Sequence, residues 1–361
     1  MNPESYKYQI MQRIFLTHVA PKDKILEYNL SVAASNFCHN LINGRAFDTV
    51  YSILPTFVTG KIEPFKGLVY SSLRNLGFLN RLAPIVECFK LFSKIPRQSS
   101  VWYYNCTILN ATLIILLKLF KPKVKQQIII LDYTPSNHLM DRFFLWLTNH
   151  LDGAIKLADS PLFTIKNSVC LPGVVPEDSI HYPRISAIKK EFLISGVLSE
   201  NISMLPMLLD AFSEMPELTL HITGKAPNLD QINRYTQKYN NIIYHGMVEY
   251  GEYLKILHNT PFLLSTRNPQ YPENQCNFPS KIIEALLHNR IIISTIKYQQ
   301  LEGIDYLLVR ADKESFMQDL SHYMGMEQTT LIRFANQAGV VKKRFNTDIW
   351  KTTMGIIENN H

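Results

Sequence analysis

The strongest chemical signal in this chain is a group of residues in its second half. An apolar run ends at Arg267, and after a short loop Pro279, Ser280 and Lys281 open a predicted helix. A helix N-terminus offers free N–H groups and a partial positive charge, and Arg267 and Lys281 add two full positive charges. This combination is suited to binding a diphosphate.

Glu284 follows Ser280 by one helical turn, so both side chains lie on one face of that helix. A carboxylate at this place can accept two hydrogen bonds from a cis-diol such as a nucleotide ribose. The alternative is that Pro279 and Ser280 are an ordinary helix start and that Glu284 is a solvated partner of Lys281. The residues alone leave both interpretations open.

Several common functional motifs are absent from the sequence. The 14 glycines form no GxG, and Gly224-Lys225 is followed by Ala226 rather than by the Ser or Thr of a phosphate-binding P-loop. No HExxH or GxSxG occurs, and the five cysteines form no CxxC pair. Dinucleotide, P-loop, zinc and serine-hydrolase functions therefore have no sequence support, and we expect neither a cofactor nor a metal.

The elements that position these residues are predicted from apolar runs that alternate with helix-length amphipathic segments. This alternation predicts an α/β protein of parallel sheets in two Rossmann-like domains that face a cleft. With 361 residues there is material for two cores. We expect domains at 1–185 and 186–340 and a C-terminal helix at 341–361 that crosses back to the first domain, with the polar segment 179–190 as the linker.

Charge is divided unevenly between the two halves. Residues 1–190 hold 22 basic and 12 acidic side chains, whereas residues 191–361 hold 15 and 18. Residues 61–125 hold 11 basic side chains, interleaved with Phe and Leu, against Glu63 and Glu87 only. This composition favours an anionic membrane surface over nucleic acid, for which no binding motif is present. A solvated helical face is the alternative.

No signal peptide and no apolar run of about 20 residues is visible, so we expect a cytoplasmic protein at the inner face of the membrane.

Residues 278–294, FPSKIIEALLHNRIIIS, resemble the donor-binding signature of GT-B glycosyltransferases. Within them, this segment is most similar to glycosyltransferase family 4 enzymes of bacterial capsular and exopolysaccharide synthesis. Further pieces follow the family's order through the second half of the chain. They are the glycine turn at 195–199, the strand and loop at 218–225, the strand at 243–248 and a last helix at 344–357.

The resemblance implies a GT-B fold and a retaining, metal-independent transfer of a sugar from a nucleotide sugar to a lipid-linked or polysaccharide acceptor. Arg267 and Lys281 would balance the charge of the leaving diphosphate, and Glu284 would bind the donor ribose. The other donor-binding residues implied are Gly196, Gly224, Lys225, His245, Pro279 and Ser280. By strand order, His18, Asn105 and Asp132 would lie on the acceptor or sugar side.

Two departures from the family's pattern keep other functions open. Cys276 occupies the position of the first glutamate of the family's paired-glutamate motif, and Val197 stands where an arginine is common. A noncatalytic GT-B-like partner of a polysaccharide assembly machine is one alternative. A GT-B-fold sugar-nucleotide epimerase or phosphorylase, which would use the same donor cleft, is the other.

Overall fold

The computed structural model describes residues 11–21, 24–25, 28, 30–54, 68–72, 83–131, 133, 136–176 and 182–360. The chain divides into two compact units. Residues 1–177 and 347–361 form unit 1, and residues 178–346 form unit 2. Within the described ranges, no helix combines the length and the apolar character needed to cross a membrane.

Unit 1 alternates strands with helices over most of its length. Its elements up to residue 170 are β1 (Gln12–Thr17), α1 (Val32–Asn43), β2 (Thr49–Leu54), β3 (Leu68–Ser72), α2 (Ala83–Lys94), β4 (Ser99–Tyr104), α3 (Ile108–Phe120), β5 (Lys125–Ile130), α4 (Leu139–Asn149), β6 (Gly153–Lys156) and β7 (Ser168–Cys170). Polar caps fix two of the helix starts, since the side chains of Ser31 and Thr107 accept N–H groups from the first turns of α1 and α3.

The strands of unit 1 form a parallel sheet in the order β3-β2-β1-β4-β5-β6-β7. Nearly every residue of β4, β5 and β6 is buried, as expected for strands covered on both faces. The apolar sides of α2, α3 and α4 pack with β1, β4 and β5 in one core.

Unit 2 repeats the plan with a second parallel sheet, in the order β10-β9-β8-β11-β12-β13. Its elements are β8 (Glu191–Val197), α5 (Glu200–Ser203), α6 (Leu205–Ser213), β9 (Thr219–Lys225), α7 (Leu229–Lys238), β10 (Ile242–Tyr244), α8 (Tyr250–Asn259), β11 (Phe262–Ser265), α9 (Pro272–Cys276), α10 (Ser280–Leu287), β12 (Ile291–Ser294), β13 (Leu307–Leu308), α11 (Lys313–Met324), α12 (Gln328–Ile332) and α13 (Ala338–Phe345). The prediction of two parallel-sheet α/β domains is confirmed.

The unit boundaries differ from the predicted domain boundaries by a few residues, for identifiable reasons. Residues 182–185 lie on unit 2, because the Asn289 side chain donates to the Tyr182 carbonyl at 2.9 Å and the Tyr182 ring stacks on His288 at 3.6 Å. At the other end, α13 packs on α10 with Val341 and Phe345 buried, so unit 2 continues to residue 346.

The last helix, α14 (Thr347–Asn359), belongs to unit 1. Its Trp350 is fully buried and donates from Nε1 to the Gly173 carbonyl at 2.9 Å. Glu358, also buried, forms an ion pair with Arg13 of β1. Residues 177 and 345 positions apart in the sequence are thus paired within one unit, and the chain of unit 1 is interrupted by the whole of unit 2.

Candidate functional site

The candidate site of unit 2 lies where the strand order reverses. β8 stands between β9 and β11: from β8 the chain proceeds outward through β9 and β10, then crosses back to β11 and proceeds outward in the opposite direction. In open parallel sheets, ligands bind in the crevice beyond the carboxyl ends of the strands at such a point. Gly196 near the end of β8 and Arg267 just after β11 flank it.

Glycines leave the backbone uncovered at the ends of these strands. Gly196 and Gly224 are paired across β8 and β9 and have φ angles of 115° and 131°. A Cβ atom on Gly224 would come within 2.1 Å of the Gly196 carbonyl oxygen, so only glycine fits there. A Cβ on Gly196 would meet nothing within 4 Å. A ligand can therefore approach the Gly196 backbone directly.

Helix α10 begins close to this edge of the sheet without a side-chain cap. Pro279 is its N-cap residue and makes no side-chain capping hydrogen bond. Ser280, which is exposed, is the first helical residue. The first turn of a helix leaves N–H groups without intrahelical acceptors. The start of α10 thus offers amide donors suited to an anion.

Arg267 is held by its backbone and by its side chain. Its N–H donates to Thr295 Oγ1 at 2.7 Å, and its guanidinium donates to Asn274 Oδ1 at 3.3 Å. The Asn274 side chain is itself anchored, because it donates to the Asn201 and Asn268 carbonyls. Asn274 therefore orients the arginine, and the half-buried guanidinium keeps its remaining N–H donors for other partners.

The Glu284 carboxylate is fixed by two tyrosines of α8. Tyr250 Oη donates to Oε1 and Tyr253 Oη to Oε2, each at 3.1 Å. Burial, with the neighbouring Glu284 charge, raises the pKa of both phenols, so both remain hydrogen-bond donors over the whole neutral range. The Tyr253 hydroxyl also lies beside the Ser195 side chain, which precedes Gly196.

Lys281 completes this group of side chains. Its Nζ donates to Glu284 Oε2 at 2.8 Å and lies 4.0 Å from the centre of the Tyr253 ring. The side chain is 38% exposed, so the ammonium retains access to solvent and to a ligand. Glu284 is thus a hydrogen-bond acceptor in a fixed position, and its charge is balanced by Lys281. Of its two oxygens, Oε1 is the better placed for a diol, because among the contacts above it is bonded to Tyr250 alone.

His245 ends a chain of three polar side chains on the sheet. Its Nε2 lies 3.0 Å from His221 Nδ1, and His221 Nε2 lies 2.5 Å from Glu191 Oε2. When His221 donates to Glu191 from Nε2 and accepts at Nδ1, His245 donates to it from Nε2 and keeps its own Nδ1 as an acceptor. Burial and the His221 neighbour lower the pKa of His245, so the ring is neutral at pH 7.

Lys225 and Cys276 are two further residues of unit 2 that the sequence singles out. Lys225, at the end of β9, is exposed, and its carbonyl accepts the Leu198 N–H at 2.9 Å. Cys276, at the position of the family's first glutamate, is buried. Among the described side chains, no group of three His, Cys, Asp or Glu residues is arranged to hold a metal ion.

Known structures share this two-unit plan over nearly their whole length. The N-terminal domain of Candida albicans trehalose-6-phosphate phosphatase superimposes with a TM-score of 0.70 at 11% identity, covering 96% of this chain and 99% of that one. Anabaena HepE in complex with UDP and glucose gives 0.64 at 14%, covering 95% and 98%. A trehalose-6-phosphate synthase, OtsA, gives 0.68 at 10%, covering 97% and 99%.

The chain has the GT-B fold. At these identities the likeness establishes the fold alone. No protein-family model and no curated protein matches the sequence.

In unit 1 of the GT-B fold, the strand order reverses between β1 and β4. His18 follows β1 and Asn105 follows β4, so both lie at this reversal. His18 Nδ1 donates to the Ile53 carbonyl at 2.7 Å, and its inaccessible Nε2 has no hydrogen-bond partner among the described residues. Asn105 has a φ of 52°, and its Oδ1 accepts the Leu131 N–H at 2.8 Å. Asp132 lies outside the described residues.

The side chains that orient Glu284 and Arg267 were not predicted from the sequence. Tyr250 and Tyr253 orient Glu284, and Asn274 orients Arg267, although none of the three belongs to a motif in the sequence. The i,i+3 spacing of the two tyrosines was the available signal, since it places them on one face of α8. Which face meets α10 depends on the packing of the two helices.

Proposed function

We propose that this chain is a glycosyltransferase that takes a sugar from a nucleotide sugar bound at the carboxyl ends of β8 and β11. The fixed carboxylate of Glu284, held by Tyr250 and Tyr253 beside the start of α10, carries the proposal. It supplies an acceptor for a ribose diol next to amide donors for a diphosphate. Neighbouring GT-B structures bound with UDP and glucose, or with UDP-2-fluoro glucose, support this choice of donor.

In this proposal, three groups balance the charge of the leaving diphosphate: the amides at the start of α10, the Arg267 guanidinium and the Lys281 ammonium. The amides at the start of α10 and the Arg267 guanidinium donate to phosphate oxygens, while the uncovered Gly196 backbone allows their close approach. Lys281 lies between the ribose-binding carboxylate and this anion. As in glycosyltransferase family 4, which the sequence resembles, transfer is proposed to need neither a metal nor a cofactor and to retain the anomeric configuration.

The acceptor is proposed to be a lipid-linked saccharide or a polysaccharide of a bacterial surface, as in glycosyltransferase family 4. His18 and Asn105 of unit 1, with Asp132, would lie on the acceptor or sugar side. Burial lowers the pKa of His18, so its ring is neutral, and the buried Nε2 is left as an acceptor without a partner among the described residues.

The protein is further proposed to act in the cytoplasm, at the anionic inner face of the membrane, through residues 61–125. Residues 61–67 and 73–82 of this patch lie outside the described structure. In the described part, the exposed apolar side chains of Phe89, Leu119 and Phe120 accompany the exposed Lys94 and Lys118 on α2 and α3. Aromatic anchors beside lysines suit an anionic lipid surface.

Two departures from the family's pattern favour a second candidate function. Cys276 is buried where the family has its first glutamate, and the exposed Val197 stands where an arginine is common. A noncatalytic partner of a polysaccharide assembly machine, which binds nucleotide without turnover, fits this loss of two polar groups.

The test is a thermal-shift and transfer screen with UDP, GDP and their sugars, using the wild type and the variants Arg267→Ala and Lys281→Ala. Both variants should lower turnover strongly without unfolding the chain. Lys255→Ala is a matched control, because Lys255 also pairs with a glutamate three residues away but is 74% exposed on α8.

Unchanged transfer rates in both variants would overturn the assignment of Arg267 and Lys281. Nucleotide binding without any turnover would favour the noncatalytic partner, and no nucleotide binding at all would count against both functions.

A further inference from the structure

A cavity of about 350 Å³ lies in unit 1 between α4 and β5, and none of the proposed donor chemistry uses it. Ile128 and Ile130 of β5 form one wall. Phe144 and Leu145 of α4 form the opposite wall, and Phe163 completes the lining. A volume near 350 Å³ is at the lower end of the range for small-molecule sites. The cavity therefore has room for part of a ligand.

Several polar atoms of the lining already have hydrogen bonds within the protein. Asn105 Oδ1 accepts the Leu131 N–H, and Ser136 Oγ accepts the His138 N–H at 3.2 Å. Thr148 is hydrogen-bonded to Cys106, and burial raises the pKa of that thiol, so it is neutral. These atoms are already partnered, and the acidic Asp141 in the lining disfavours an anionic ligand, while five apolar side chains form most of the walls. The lining favours an uncharged, apolar group.

Helix α4 is also apolar on the side that faces solvent. Leu139, Met140, Phe143 and Trp146 form a stripe along it, with exposed fractions of 79%, 52%, 36% and 55%. The rings of Phe143 and Trp146 stack at 6.0 Å. A contiguous exposed stripe of this kind marks an interaction surface rather than scattered surface residues. One helix thus separates an apolar cavity from an apolar outer surface.

We propose that the cavity holds the apolar chain of a lipid acceptor, prenyl or fatty-acyl, which reaches it past the outer stripe of α4. A chain segment of a few carbons fits the volume, the apolar walls and a lining whose described residues include no cation. The lipid's phosphate and sugar would lie outside the cavity, next to the partly exposed Asn105 of its lining. This inference rests on the proposed transferase function, to which it adds the site of the lipid chain.

The binding test uses the full chain and farnesyl phosphate, below its aggregation concentration and without vesicles. Leu145→Trp fills the cavity and should weaken binding by about tenfold or more, since each excluded methylene costs about fourfold. Leu116→Trp is the matched control, because Leu116 is a half-buried leucine of the same core that does not line the cavity. It should leave binding unchanged. Cys106→Leu fills the same space with a smaller side chain. It is the second variant, to be used if the Leu145→Trp protein does not fold.

Glycerol phosphate should not compete, because it lacks the chain. Equal farnesyl phosphate binding by the wild type and by both filling variants would overturn the proposal. Competition by free monosaccharides instead would also overturn it, since the cavity would then be a sugar site.

Transfer assays separate this inference from the proposed function. The acceptors are monosaccharide diphosphates that carry either a farnesyl or a butyl group. Leu145→Trp should lower kcat/KM for the farnesyl acceptors alone. If the wild type transfers to no acceptor, the proposed function fails, whereas the farnesyl phosphate measurement still decides whether the cavity binds a chain. An equal loss for both acceptor types would overturn the lipid-chain site.

Discussion

Replacing Glu358 by alanine should destabilise unit 1 far more than its position near the end of the chain suggests. The carboxylate accepts from Arg13 Nε at 2.8 Å, Arg13 Nη2 at 2.5 Å, Ser100 Oγ at 2.6 Å and Trp102 Nε1 at 2.8 Å. It therefore connects α14 to β1 and β4. The variant leaves the Arg13 guanidinium, only 18% exposed, without its counter-ion.

The magnitude follows from burial. The side chain of Glu358 is 9% exposed, so the pair belongs with buried ion pairs, for which removal of one partner costs about 3–5 kcal/mol. An exposed pair on the same helix, Lys351 with Asp348, gives the scale for comparison. Asp348 is 84% exposed, and loss of that pair should cost less than about 1 kcal/mol.

The assay is urea unfolding followed by tryptophan fluorescence. All three tryptophans, Trp102, Trp146 and Trp350, lie in unit 1, so the signal reports that unit alone. With a urea dependence of about 2 kcal/mol per molar, a loss of 3–5 kcal/mol lowers the midpoint by about 1.5–2.5 M. Lys351→Ala serves as the matched control and should shift it by less than about 0.5 M.

The effect should also depend on pH in a defined direction. Burial alone would raise the pKa of Glu358, but the hydrogen bonds from Arg13, Ser100 and Trp102 outweigh it and lower the pKa. A lowered folded-state pKa stabilises the fold above the ordinary carboxyl pKa, and this contribution is lost as pH falls through the folded value. The difference between wild type and Glu358→Ala should therefore shrink in acid. A shift no larger than that of Lys351→Ala, or one independent of acid pH, would refute this reasoning.

Three further predictions concern the candidate site and the backbone around it. Tyr253→Phe removes one hydrogen bond to Glu284 and should weaken UDP binding about 3- to 10-fold by calorimetry; unchanged affinity would show that the bond does not position the carboxylate. Gly224→Ala should lose about 1–3 kcal/mol or more in thermal unfolding, whereas Gly355→Ala, within α14 and in open space, should gain about 0.5–1 kcal/mol; equal effects would contradict the glycine argument. His18→Leu should lower transfer about tenfold or more with UDP affinity unchanged, and a parallel loss of UDP affinity would argue against an acceptor-side role.

The regular parts of the fold could be predicted because burial on both faces of a parallel sheet leaves continuous apolar runs. Runs such as Ile291–Ser294 and Phe262–Ser265 identify their strands directly. Two strands were missed. Leu68–Ser72 lies within a basic stretch that was interpreted as a surface, and Ser168–Cys170 has only three residues, too few for a period to be detected.

The candidate site could be predicted only in part, because its contacts join residues far apart in sequence. The start of α10 and the position of Glu284 follow from Pro279 and the helical period. That Tyr253 meets Glu284, 31 residues later, depends on how α8 and α10 pack. The positive φ of Asn105 likewise has no sequence signal, since it follows from the turn that its side chain stabilises.

The discontinuity of unit 1 has a consequence for the order of folding during synthesis. Arg13 is made early, but its partner Glu358 is added 345 residues later, after the whole of unit 2. At about 5–20 residues per second, the roughly 170 residues of unit 2 take about 10–35 s to translate. Unit 2 can therefore fold before α14 has been synthesised. Until then, the surface of unit 1 that α14 covers remains exposed. During that interval the nascent chain exposes an apolar surface that chaperones would recognise.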